Sequence, residues 1–192
     1  MQCSDDRCAH PAIVRNVAEN VTLEWGGHFV YSLRKTKGGI MNFFLVLIGL
    51  TIVATAIHAK RAHGRTAELL LMYSLFFLVG ISGVIGWMGH FFRPEQIAAY
   101  IGWQNNPFQR EVAFANLSLG ILGLMCIWKR GNFWLATVIA LAVFYLGCFG
   151  GHLYEWQVNG NTHPGNIGAP LFIDILLPVY LMAMYAMIKK RA

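Results

Sequence analysis

Apolar residues in this chain come in long blocks separated by short charged ones. Residues 38–59, 69–92, 112–128 and 131–154 contain no Lys, Arg, Asp or Glu, and from 156 to 188 the only charge is Asp174. A helix that crosses a bilayer needs about 20 mostly apolar residues. The blocks therefore predict five helices, at about 41–59, 68–92, 111–128, 132–154 and 169–188. The third has the shortest apolar block. The fifth begins at the proline-rich turn "HPGNIGAP" and carries Pro178 midway, where a kink is expected. Neighbouring helices would then cover the freed carbonyl. The expected fold is an all-α membrane protein, a bundle of about five transmembrane helices.

Composition supports the same class. Hydrophobic residues make up 56% and charged residues 12% of the 192, against roughly 25% charged in soluble domains. The net charge of +6 does not point to nucleic acid. The basic residues flank apolar runs instead of forming an aromatic-interleaved stripe, so no nucleic-acid partner is expected.

Placement of the basic residues predicts orientation. With five spans, and counting from Met41 onward, Lys60, Arg61, Arg65, Lys129, Arg130, Lys189, Lys190 and Arg191 share one side, and Arg93 and Arg110 lie on the other. The positive-inside rule assigns the richer side, with the C-terminus, to the cytoplasm. The segments 93–110 and 155–168 then face outward, and a cell membrane, for a bacterium the inner membrane, is the expected location.

Residues 1–40 read as an N-terminal extension to a transmembrane domain at 41–192. Residues 1–39 hold five basic and four acidic residues and no apolar core of signal-peptide length. Arg34, Lys35 and Lys37 would sit on the outer side, against the charge rule. Two explanations are open: an outward tail or surface helix, or a true start at Met41, with "KGGI" as the in-frame reading of a purine-rich ribosome-binding site. Cys3 and Cys8 make a weak pair. Cys126 and Cys148 lie in apolar runs and read as packing residues.

Glycines at 80, 83, 86 and 89 recur every three residues along the second helix. They form a smooth strip that lets another membrane helix approach closely. Gly120 and Gly123, and Gly147, Gly150 and Gly151, offer matching faces.

The candidate chemistry lies at one membrane side. His90 ends the second helix, Glu111 begins the third, His152 and Glu155 end the fourth, and Asp174 enters the fifth. Asn116 sits deeper and His163 lies in a loop. Ionisable groups near lipid face the bundle interior or water. Imidazole and carboxylate together form a ligand set for a transition metal, so His90, Glu111, His152, Glu155 and Asp174 are the metal candidates. Each also has a structural reading, as an interfacial anchor or, for Glu111, as helix-start chemistry. Trp87, Trp103, Trp128, Trp134 and Trp156 mark an aromatic belt. His58 and His63 read as solvated flanks. No nucleophile with an adjacent base, no P-loop and no facing haem-spaced histidines occur.

Two stretches, "IGWQNNPFQREVAFANLSLGILGL" at 101–124 and "HPGNIGAPLFIDILLPVYLMAMY" at 163–185, resemble an uncharacterised domain-of-unknown-function family of small prokaryotic multi-pass integral membrane proteins. The likeness runs from about Met41 to the C-terminus. It implies no assigned activity, so no catalytic residue transfers. A looser likeness, in size and helix count only, is to DoxX-like membrane proteins linked to quinone or thiol redox chemistry. Three functions follow as expectations. The first is a small accessory or scaffold membrane component, with a membrane-protein partner or a second copy. The second is an outward-facing metal-binding or redox protein. The third, a transporter, is disfavoured by the absence of an internal repeat.

Overall fold

The computed structural model describes residues 39–62 and 65–190. Cys3, Cys8, His63 and the basic group at 34–37 lie outside them. The described residues are helical, with no strand among them. The helices are α1 (Gly39–Ala59), α2 (Thr66–Phe92), α3 (Pro94–Ile101), α4 (Phe108–Met125), α5 (Asn132–Asn159), α6 (Pro164–Ile167) and α7 (Ala169–Lys189).

Four stretches are long and apolar enough to cross a membrane: α1, α2, α5 and the run of α6 with α7, Pro164–Lys189. The expected third span falls short of that standard. It is α4, 18 residues at Phe108–Met125, or about 27 Å at 1.5 Å per residue. Its first turn carries Gln109, Arg110 and Glu111, and Asn116 interrupts its middle. It also ends earlier than its apolar run predicts, because residues 126–128 tighten into turns closed by Cys126 N–H to Gly123 O and Trp128 N–H to Met125 O.

Helix α4 nevertheless lies inside the bundle, packed along α2. The glycine strip is the reason. A methyl on Gly83 would sit 2.7 Å from Gly120 Cα, and one on Gly123 would run into the Gly80 amide. Beside this crossing, residues Leu75–Ile81 of α2 wind as a π-helix, and the Leu75 carbonyl also lies against Gly123. The strip thus matches Gly120 and Gly123 as the spacing predicts. It does not match Gly147, Gly150 and Gly151, whose Cα positions meet open space. Helix α5 packs instead on α7, with Leu141, Val138, Leu177 and Leu181 buried.

Pro178 is fully buried in an otherwise continuous α7. Its missing N–H leaves the carbonyl four residues earlier, that of Asp174, without its helical partner.

Helix α1 is different. Only 17% of its most apolar window is buried. Leu47 enters the core, Thr51 and Thr55 return their hydroxyls to Leu47 O and Thr51 O at 2.8 and 2.7 Å, and His58 Nδ1 meets Tyr73 Oη at 3.1 Å.

The segment 93–110, expected as an outward loop, contains α3 and the first turn of α4. Pro94 at the first position of α3 and Gly102 at its end explain that helix. Gly102 has φ +86°, and Trp103 N–H reaches back to Ala98 O at 2.9 Å. Gly160 closes α5 in the same way, with φ +63° and Asn161 N–H to Glu155 O at 3.0 Å. Both are left-handed endings that glycine adopts without a Cβ penalty. They turn Trp103 and Asn161 back over the same end of the bundle.

Candidate functional site

The two helix endings meet. Asn161 Nδ2 donates to Ile101 O, the last carbonyl of α3, at 3.0 Å. Its side-chain oxygen accepts from His163 N–H at 3.1 Å. Residues 160–168 are thereby fastened to α3, and Asn166, completely buried, is carried under them to α5.

The Asn166 side chain makes three hydrogen bonds to the chain. Nδ2 donates to His152 O at 3.1 Å and to Asn161 O at 3.0 Å. Oδ1 meets His152 Nδ1 at 2.7 Å. The other imidazole nitrogen, Nε2, faces Asp174 Oδ2 at 3.6 Å. The Trp103 ring lies nearly parallel over the imidazole, with centroids 5.8 Å apart and planes at 22°. The His152 and Asp174 side chains are 9% and 13% exposed, so the pair is nearly closed off. Tyr145 and Cys148 of α5 lie near Asp174.

Of the five residues the sequence nominates, the structure joins these two. His90 pairs elsewhere: its Nδ1 meets Gln109 Oε1 at 3.0 Å, and Gln109 Nε2 reaches Pro94 O at 3.5 Å. That contact ties the end of α2 to the start of α4. Glu155 accepts from Asn159 Nδ2 at 2.8 Å, a bond within α5. Glu111 is exposed in the first turn of α4. Among the described residues, no three His, Cys, Asp or Glu side chains come together as a metal set. The polar groups at this end therefore make three separate contacts, one of them the buried His152–Asp174 pair.

Three participants escape sequence reasoning. Asn166 lies in a segment that reads as a turn, Gln109 beside charges that read as a helix start, and Trp103 among belt tryptophans. The belt itself is mixed. Trp103, Trp128 and Trp156 are exposed, but Trp134 is buried and donates to Cys126 O at 2.9 Å. Trp87 packs on Phe91 and Phe92 with its buried Nε1 unpaired. Asn116, the deeper polar residue of α4, returns its amide to Val112 O at 2.9 Å and lies against Gly86.

The opposite end holds a charged clamp. Glu68 accepts from Arg65 and from Arg130, each at 2.8 Å, and Arg130 also lies over the Trp134 ring. This joins the start of α2 to the turn before α5.

A helical bundle of apolar spans with Asn-Pro-Phe-Gln leading into α4 and His-Pro-Gly-Asn leading into α7 can now be compared with known proteins. The chain belongs to a family of unknown function, DUF6790. Residues 41–192 match it, so the match takes in all of the site above. No curated protein and no solved structure matches the chain.

Proposed function

We propose that this protein is a small, non-enzymatic accessory or scaffold component of a cell membrane, built to stand beside another membrane protein or a second copy of itself. The observation that carries this reading is α1. It is 21 residues long and predominantly apolar, yet contributes little to its own core, with Val46, Ile52, Val53 and Ile57 all more than half exposed. A helix so lightly packed takes its surroundings from lipid or from a partner helix. The other end of the molecule supports the same reading: its polar groups are largely engaged with each other.

The test is site-directed photocrosslinking in native membranes. Probes at Val46 and Val53 should give a discrete adduct, whereas a probe at Phe172, on the exposed face of α7, should give less. Absence of any adduct from α1 would contradict the reading. So would a stoichiometric transition metal in the protein purified in detergent, which would favour the metal or redox function instead.

A further inference from the structure

With a neutral imidazole and an ionised carboxylate, the contact between His152 and Asp174 has no hydrogen to share. Asn166 sets which imidazole nitrogen faces the carboxylate. Its two amide hydrogens go to the carbonyls of His152 and Asn161, so the atom facing His152 Nδ1 at 2.7 Å is its oxygen. An amide oxygen only accepts, so Nδ1 carries the hydrogen. A neutral imidazole then has a bare lone pair on Nε2, and Nε2 is the atom that faces Asp174 Oδ2 at 3.6 Å. An ionised carboxylate is likewise only an acceptor. Two acceptors would be pointed at each other in a nearly closed site, where an unpaired charge is costly.

We propose that His152 and Asp174 form a proton-binding site, with Asn166 as the positioning residue that reserves Nε2 for it. One proton, taken from water and returned to water, sits between the pair. It is held either as a carboxylic acid donating to Nε2 or as an imidazolium donating to the carboxylate. The formal charge of the pair is zero in both forms and −1 when the proton leaves. The 3.6 Å separation is beyond hydrogen-bond range and closes toward it when the proton is present. Trp103, 41% exposed and stacked on the imidazole, is the cover between the pair and the water at that end.

Among the described residues, neither side chain is paired with a Lys or Arg. From α5, Tyr145 and Cys148 lie near Asp174, and Glu155 is bonded to Asn159. Helix α2 presents Ser82 toward Tyr145. Its one carboxylate, Glu68, is clamped at the far end of the bundle. Helix α6 has no ionisable side chain, and α7 has none besides Asp174 until Tyr180. His163, exposed, lies against Gly102.

This goes beyond a scaffold role and stands without it. Proton binding is linked to stability: wherever the folded and unfolded chains hold different numbers of protons, stability depends on pH.

The experiment is thermal unfolding of the full-length protein in detergent, from about pH 6 to about pH 9, compared with Asp174→Asn. The amide is a neutral, hydrogen-bearing stand-in for the protonated carboxyl. The Tm of the unaltered protein should change by about 3 °C per pH unit over the interval in which the folded and unfolded chains differ by one bound proton. The variant should lack that slope. Parallel profiles, or a flat one for the unaltered protein, would overturn the proposal. If Asp174→Asn does not fold, nitrogen-15 NMR of the His152 ring in the unaltered protein decides. Nδ1 should stay protonated across the range while Nε2 changes; a neutral ring protonated on Nε2 would overturn it.

Discussion

Asn166 holds His152 from two directions: it accepts from the ring at Nδ1, 2.7 Å away, and donates to that residue's own carbonyl at 3.1 Å. One side chain thus fixes both the orientation of the imidazole and the seat of the 160–168 segment on α5. Changing Asn166 to Leu keeps a similar volume and removes both functions. It leaves a buried ring N–H unpaired, at about 1–3 kcal/mol. The expected outcome is a Tm several degrees lower in detergent, with faster proteolysis of the 160–168 segment. Asn166→Asp keeps the acceptor and loses the two donors, so it should fall between. A Leu variant as stable as the parent would show that the network is not a structural tie.

The glycines make predictions of opposite sign. Gly83→Ala places a methyl 2.7 Å from Gly120 Cα and 2.8 Å from Asn116 O, both backbone atoms that cannot swing aside. Overpacking of this kind costs about 1–3 kcal/mol. Gly147→Ala meets nothing within 4 Å and gains helix propensity, up to about 1 kcal/mol. Thermal melts of the two variants should therefore move in opposite directions. The same direction for both would mean that helix propensity, not the α2–α4 crossing, sets the response.

This contrast also shows what the sequence could reveal. Helix existence was legible because each apolar block is bounded by charge, and the α2–α4 crossing because glycines recur at helical spacing on both partners. The same rule misplaced Gly147, Gly150 and Gly151, since small residues permit close approach without requiring it. The site was half legible. His152 and Asp174 stand out as ionisable groups beside lipid, and the structure joins them. His90 and Glu155 carry the same signal, but a nearby amide side chain partners each of them, Gln109 and Asn159. Asn166 and Trp103 were hidden because their positions depend on two glycine-terminated helices folding back. That is a tertiary event with no periodicity to read.

The clamp at the basic end gives a prediction set by salt. Glu68 accepts from both Arg65 and Arg130 at 2.8 Å and remains 23% exposed. Surface pairs contribute about 0–1 kcal/mol and are screened by added salt. Glu68→Gln should therefore lower the Tm slightly in dilute buffer, and the gap should close in about 1 M salt, where the screening length is roughly 3 Å. A large loss that persists in high salt would mean that Glu68 acts through packing of its stem against the start of α5, not through its charge.

The last prediction concerns which end faces the cytoplasm. Among the described residues, seven basic side chains lie at the end that carries Arg130 and Lys189, against two, Arg93 and Arg110, at the end that carries Trp103. By the positive-inside rule, that asymmetry predicts that the proton pair and its tryptophan cover face away from the cytoplasm. Single cysteines in a cysteine-free background test this at Asn105 and Lys129, both exposed and both outside the helices. In intact cells an impermeant maleimide should label Asn105→Cys, and Lys129→Cys only after the membrane is opened. The short polar α4 makes this test demanding. If α4 did not cross, His90 and Gln109 could not be bonded while Glu68 and Arg130 are clamped, because α2 and α5 fix the two ends and α4 with its flanking turns must join them. Opposite labelling of positions 105 and 129 therefore checks two things at once: that the 18-residue helix spans, and in which direction. Equal labelling would remove the span, and reversed labelling would turn the proton pair toward the cytoplasm.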